Sequence, residues 1–312
     1  MKKPYLLLIL FVSTCLAINY SFAETTNGDS IKVTATTSIV GDIVSQIGGN
    51  LIDLQILMPP NSDPHSFEAK PRDIRILNNS DVIFANGFGL EEALASLLSA
   101  ENIATKTIYL ADYIPENDRI KSDGHHHHDE HDEHDEHDDD VQWDPHLWLD
   151  PTNIKTWASN ITRHLTDKDK RNAQIYATNY DRLALKLDRL DSYVKTKIKS
   201  IALQNRTIIT DHNSFAYYAR RYNFEILDTL LESTSTVAES SASHMAELVD
   251  LIRAKQIRTL FISHTSSKKT ARALAEDLNL ELITVNITSV YKGSNYQDMI
   301  ENLTDTLVAN LN

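Results

Sequence analysis

Three histidines stand in motifs that suit metal ligation. His65 lies in Asp63-Pro64-His65-Ser66-Phe67-Glu68, His146 in Trp143-Asp144-Pro145-His146-Leu147-Trp148-Leu149-Asp150, and His212 in Thr210-Asp211-His212-Asn213-Ser214-Phe215. One Asp-Pro-His tripeptide alone reads as a surface histidine, but two in a chain that also carries an imidazole-dense tract read as ligands. That tract is HHHHDEHDEHDEH, followed by Asp138, Asp139 and Asp140. Neutral imidazole suits zinc, copper and nickel, and interleaved carboxylates draw cations. His125, His126, His127, His128, His131, His134 and His137 therefore form an accessory metal-binding tract. With no apolar residue to bury, it is expected to be a mobile, solvated loop. Its internal position and H-D-E repeat argue against a purification tag, and a merely solubilising charge run is the weaker reading. Near the primary motifs, Asp144 and Asp150 are placed to accept the second ring N–H of an imidazole. His164 and His244, on helices, read as ordinary surface histidines.

The amino terminus says where metal would be met. Lys2 and Lys3, the apolar run Tyr5 to Ala17 and the small-x-small Ser21-Phe22-Ala23 form a secretory signal pattern over residues 1–23. The run is short of the roughly 20 residues a spanning helix needs. Cys15, the only cysteine, lies inside it, so acylation at Cys15 is the alternative to cleavage after Ala23. Cleavage leaves 289 residues without a thiol, and any metal site must then use imidazole and carboxylate. Net charge is −14, or −16 once Lys2 and Lys3 are gone, and Lys121 to Asp140 alone carries −9. That balance favours cations and disfavours nucleic acid.

The elements that must position these residues alternate between strand and helix in two blocks, the pattern of parallel sheets with crossover helices. The first block predicts strands at 31–37, 51–58, 81–85 and 105–110. It predicts helices at 39–47, capped by Ser38 and ended by Gly48-Gly49, at 90–98, and from Asp150-Pro151 through Leu165. Lys168 to Ile201 holds neither Gly nor Pro and places Ile175, Leu183, Leu187, Leu190, Val194 and Ile198 at helical spacing, so one long helix is expected there. The second block predicts strands at 206–210, 224–230, 258–263 and 280–285, and helices at 214–222, 242–254, 268–278 and 296–311. Domains are thus expected at 24–167 and 204–312, joined by a linker helix at 168–203. The carboxyl ends of such strands line ligand crevices, and His212 and His264 follow two of them.

Asn61 to Asp73 (NSDPHSFEAKPRD), Trp143 to Pro151 (WDPHLWLDP), Asp211 to Tyr222 (DHNSFAYYARRY), the acidic His-rich loop and the long linker helix together resemble the periplasmic zinc-binding receptor of bacterial high-affinity zinc ABC transporters. The resemblance runs over nearly the whole mature chain. It implies an α/β fold of two (β/α)4-type domains with parallel sheets joined by one long rigid helix, a single Zn2+ in the cleft between them, and delivery to ABC permease subunits. It implies His65, His146 and His212 as ligands. Relatives complete the site with a carboxylate near the last strand or a water, but Thr284-Val285-Asn286-Ile287-Thr288-Ser289 has no carboxylate. His264 is the candidate fourth ligand, with water the alternative. Three imidazoles without thiolate favour zinc over manganese, and affinity is expected to fall as pH drops through about 6.5. No enzyme activity and a monomer are expected. Rival readings are an exported metal buffer or chaperone, and a secreted zinc hydrolase using the three-His site. The second lacks any His-Glu-x-x-His, Gly-x-Ser-x-Gly or Gly-rich phosphate loop.

Overall fold

Short β-branched runs form the strands, all paired in parallel. The computed structural model describes residues 30–122, 142–237 and 240–312; the expected leader and the His-rich tract lie outside them. β1 (Ile31–Ala35) sits between β2 (Ile52–Ile56) and β3 (Val82–Ala85), and β3 carries β4 (Thr107–Tyr109) on its far side, for the order β2-β1-β3-β4. β5 (Thr207–His212), β6 (Glu225–Leu231), β7 (Thr259–Ser263) and β8 (Glu281–Val285) repeat the plan as β6-β5-β7-β8. The fold is α/β, with two sheets of four parallel strands, as the alternation predicts. Each order reverses at its central pair, which opens a crevice at the strands' carboxyl ends.

Period-two alternation decides which core each strand residue joins. Val82 and Phe84 enter one core, Ile83 and Ala85 a second. Ile208 and Phe261 share the first core with Val82, while Ile209, Leu260 and Ile262 form a third. One continuous apolar core therefore connects the two sheets, and each sheet has a second, separate apolar cluster of its own.

Helices fill the crossovers. α1 (Ser38–Gly48) is capped by Thr37, whose hydroxyl accepts from Val40 N at 3.2 Å, whereas the expected cap Ser38 accepts from Val290 N at 3.1 Å. Gly49, at φ 55°, ends it in a conformation that a β-carbon would strain. α2 (Pro71–Asn79), which the sequence reading passed over, opens on a first-turn proline, and Asp73 accepts from Lys70 N at 2.9 Å. The expected helix 90–98 shrinks to α3 (Ala95–Leu98), followed by α4 (Glu101–Ala104). Its first residues are held otherwise: Gly87, Phe88 and Gly89 all have positive φ, and Glu91 turns inward.

The long helix expected from Lys168 to Ile201 is present as an unbroken run over Ala173–Lys197, and Lys168 itself closes the helix before it. α5 (Pro151–Lys168) ends at Asp169, whose carboxylate takes the Asn172 amide and the Tyr176 hydroxyl; α6 (Ala173–Lys197) then begins. An Asp that bonds its own neighbours ends a helix without Gly or Pro. At 25 residues, or about 37 Å, α6 is still the long helix that links the two sheets. It buries Leu183, Leu187, Leu190 and Val194 but leaves Ile175, the first residue of the expected stripe, exposed, and it packs on α5, on α1 and on α10 (Tyr296–Leu311). α7 (Ala216–Tyr222), α8 (Ala242–Lys255) and α9 (Lys268–Leu278) complete the second block.

Candidate metal centre

His65 and His146 reach the site through the same local device. In each Asp-Pro-His, the aspartate Oδ1 accepts the histidine's backbone N–H, at 3.0 Å for Asp63 and 2.8 Å for Asp144. Such an Asx turn with a central proline fixes the backbone ahead of the imidazole. His212 needs no turn, since it is the last residue of β5 at the crevice of the second sheet.

Two rings are further oriented by carboxylates. Asp144 Oδ1 lies 2.8 Å from His146 Nδ1 and Asp211 Oδ2 lies 3.0 Å from His212 Nδ1. Asp211 is itself held, taking Ser263 N at 3.1 Å and the Ser266 hydroxyl. A carboxylate acceptor selects the Nδ1–H tautomer, so both Nε2 atoms carry lone pairs. Those two Nε2 atoms stand 3.3 Å apart. Nitrogens bound 2.0 to 2.1 Å from a tetrahedral zinc would be about 3.3 Å apart. Two facing lone pairs at this distance call for a cation between them. His65 completes the group: one ligand atom from each histidine lies within 4.8 Å of the others, with the His65 ring centroid 5.4 Å from that of His146 and 5.7 Å from that of His212.

Burial makes the group electrostatically distinctive. His146 and His212 are essentially inaccessible and His65 partly so. Desolvation, reinforced by the neighbouring imidazoles, pushes His65 down to about 3 and His146 well below its ordinary value, so both stay neutral. Burial pushes Asp144 up to about 7, whereas for Asp211 the nearby His212 and the hydrogen bonds outweigh burial and hold it low. Trp148 backs the site, its ring 5.2 Å from His146 and its Nε1 donating to Ile287 O at 2.5 Å.

The structure gathers His65, His146 and His212 but leaves His264 outside this group. His264 begins the turn after β7, where its N–H donates to Val285 O at 2.9 Å and its ring stands 6.3 Å from Tyr291. Asn286 is occupied in a turn with Ser289, donating to its O at 2.8 Å and accepting from its N at 3.1 Å. Among the described residues no carboxylate joins the group. Asp150 does not orient an imidazole; it caps α5 by accepting from Thr152 N at 2.8 Å. Nor is His244 a surface residue: it is buried, with Nε2 at 2.7 Å from Thr229 O and Nδ1 at 3.5 Å from Glu232. His164 is half-buried against the Tyr113 hydroxyl at 2.9 Å. Asp211 was the orienting group not singled out, although its position directly before His212 was the available signal.

The family model described as ZnuA, zinc-uptake complex component A, periplasmic, matches residues 33–310. The chain belongs to this family. Its members are metal-binding solute-binding proteins of ABC transporters. The manganese ABC transporter substrate-binding lipoprotein PsaA of Streptococcus pneumoniae is 28% identical over 318 residues, covering 100% of this chain and 99% of that protein. The iron ABC transporter substrate-binding lipoprotein MtsA of Streptococcus pyogenes serotype M1 is 27% identical over 307 residues, 96% of each. The periplasmic zinc-binding protein TroA of Treponema pallidum superposes with a TM-score of 0.79 at 25% identity, covering 90% of this chain and 99% of TroA. Among the described residues, no helix is long and apolar enough to cross a membrane.

Proposed function

We propose that this family member captures Zn2+ with His65, His146 and His212 and hands it to the permease of an ABC transporter. The observation that carries the reading is the pair of Nε2 atoms 3.3 Å apart with both Nδ1 positions committed to carboxylates. Zinc is favoured over manganese because the group is nitrogen-only among the described residues, and manganese prefers oxygen ligands. PsaA and MtsA are named for manganese and iron, so the family alone does not choose the metal. Water is the fourth ligand in this reading. The test is competition titration of the metal-stripped mature protein with Zn2+, Mn2+ and Fe2+. Tight zinc binding that excess manganese fails to displace is expected; equal affinity for manganese would overturn the zinc assignment.

Each sheet with its helices is taken as a domain, 24–167 and 204–312, and the His-rich tract as an accessory zinc-gathering element. The protein acts outside the cytoplasm as a monomer. Relatives named as lipoproteins favour anchoring through Cys15 over release after Ala23. Mass measurement of the exported protein separates the two, since acylation adds lipid mass that Cys15→Ser abolishes.

A further inference from the structure

His65 differs from the other two histidines in how it is held. Among the described residues its ring has no carboxylate partner of the kind Asp144 and Asp211 provide, and it is the most exposed of the three. Its loop follows β2, yet three side chains that grip that loop come from loops that follow strands of the other sheet. The Thr236 hydroxyl donates to Asp63 Oδ2 at 2.5 Å, while Asp63 Oδ1 takes His65 N. Ser289 Oγ accepts from Asn61 N at 2.9 Å, and the Tyr291 hydroxyl donates to Asn61 Oδ1 at 2.7 Å. Asn61 itself sits at φ 70°, a left-handed conformation that Asn tolerates but that needs support from its surroundings. Thr236 belongs to the segment after β6, and Ser289 and Tyr291 follow β8. The β6 segment is also tied beside the second-sheet ligand, because Ser233 O accepts from Asn213 N at 2.9 Å.

We propose that Thr236, Ser289 and Tyr291 are positioning residues for His65, and that their hydroxyls set how fast metal leaves the site. His146 and His212 are preorganised by covalently near carboxylates. His65 reaches its place only when the loops after β6 and β8 hold Asn61 and Asp63, so separation of the two sheets breaks these three hydrogen bonds as it withdraws His65. Metal release and loss of the grip are then one event. Removing the hydroxyls lowers the barrier to that event without touching a ligand. The inference rests on His65 being a ligand.

The experiment is chelator capture of Zn2+ from the zinc-loaded mature protein, with association measured separately, for Thr236→Val, Ser289→Ala, the double variant, Thr236→Ser and His65→Ala. Each lost hydrogen bond is expected to speed zinc dissociation about fivefold, and the double variant more than tenfold, with association unchanged. Thr236→Ser restores the hydroxyl and is expected to return the rate to the parent's. Unaltered dissociation in the double variant, beside weakened binding in His65→Ala, would overturn the positioning role and leave the site standing. A Thr236→Ser variant as fast as Thr236→Val would overturn it too, by showing that the hydroxyl is not what matters. Tight zinc binding by His65→Ala would overturn the ligand assignment and this inference together.

Discussion

Asp144 serves one histidine twice: a single oxygen accepts the His146 backbone N–H and faces its ring Nδ1, each at 2.8 Å. Asp144→Asn keeps the shape but offers a weaker acceptor, and its amide N–H2 would favour the wrong imidazole tautomer. Zinc affinity is expected to fall tenfold to a hundredfold, as for other residues that orient metal ligands, and competition titration reads it. The same burial revises the pH dependence read from an unperturbed imidazole. A lowered histidine pKa keeps the neutral, metal-competent form to lower pH, so His65, at about 3, takes no proton between pH 7 and 5. Proton competition near neutrality belongs instead to the Asp144–His146 pair, since Asp144 is pushed up to about 7. Zinc binding at pH 5.5 is therefore expected to release fewer protons than three exposed imidazoles would. Calorimetry in buffers of different ionisation enthalpy counts them, and a release near three would contradict the buried site.

At the scale of elements, Glu91 explains why the chain after β3 does not continue into a regular helix. Its carboxylate accepts the Thr36 hydroxyl at 2.7 Å, Asn86 N at 2.6 Å and Gly87 N at 3.0 Å, tying the carboxyl ends of β1 and β3 together. Glu91→Ala leaves three donors without their acceptor, and a loss of at least about 2 kcal/mol is expected in denaturant unfolding of the metal-free protein. An unchanged midpoint would mean that water replaces the carboxylate at no cost. Strands and most helices were legible because period-two and helical spacings are local properties. The boundary between α5 and α6 was legible only to within a few residues, because its place at Asp169 depends on which side-chain bonds an Asp makes, and Asp is also common inside helices. His244 was misread because what buries it includes a carbonyl 15 residues away on β6. The three histidines that the structure gathers were legible as a group for the opposite reason, their Asx turns and strand end being written within two residues of each ring. Thr236, Ser289 and Tyr291 grip partners 173, 228 and 230 residues away, and no local pattern marks them.

For the whole molecule, the question is whether the acidic tract and the buried site are one binder or two. The chain enters and leaves the tract through a short antiparallel stem, where Ser122 N donates to Gln142 O at 2.8 Å and Asp144 N donates to Ile120 O at 2.8 Å. That stem leads into Asp144 and His146, and it is braced by Tyr217 of α7, whose hydroxyl accepts from Ile120 N at 3.1 Å and donates to Asp144 O at 3.1 Å. Deleting His125 to Val141 leaves Asp123-Gly124 between Ser122 and Gln142, a two-residue sequence that closes such a ladder well. The stem, and with it His146, should survive the deletion. The variant is expected to bind one zinc with the parent's affinity and to lose the weaker equivalents. Nine acids leave with the segment, so the formal charge of the full chain rises from −14 to −5. Association is then expected to slow at low ionic strength and to depend less on salt, because less negative potential steers the cation inward. Stoichiometry by titration and association by stopped flow at two salt concentrations test both halves of the argument. Loss of the tight site on deletion would make the tract the principal binder, and unchanged salt dependence would remove its role in gathering metal.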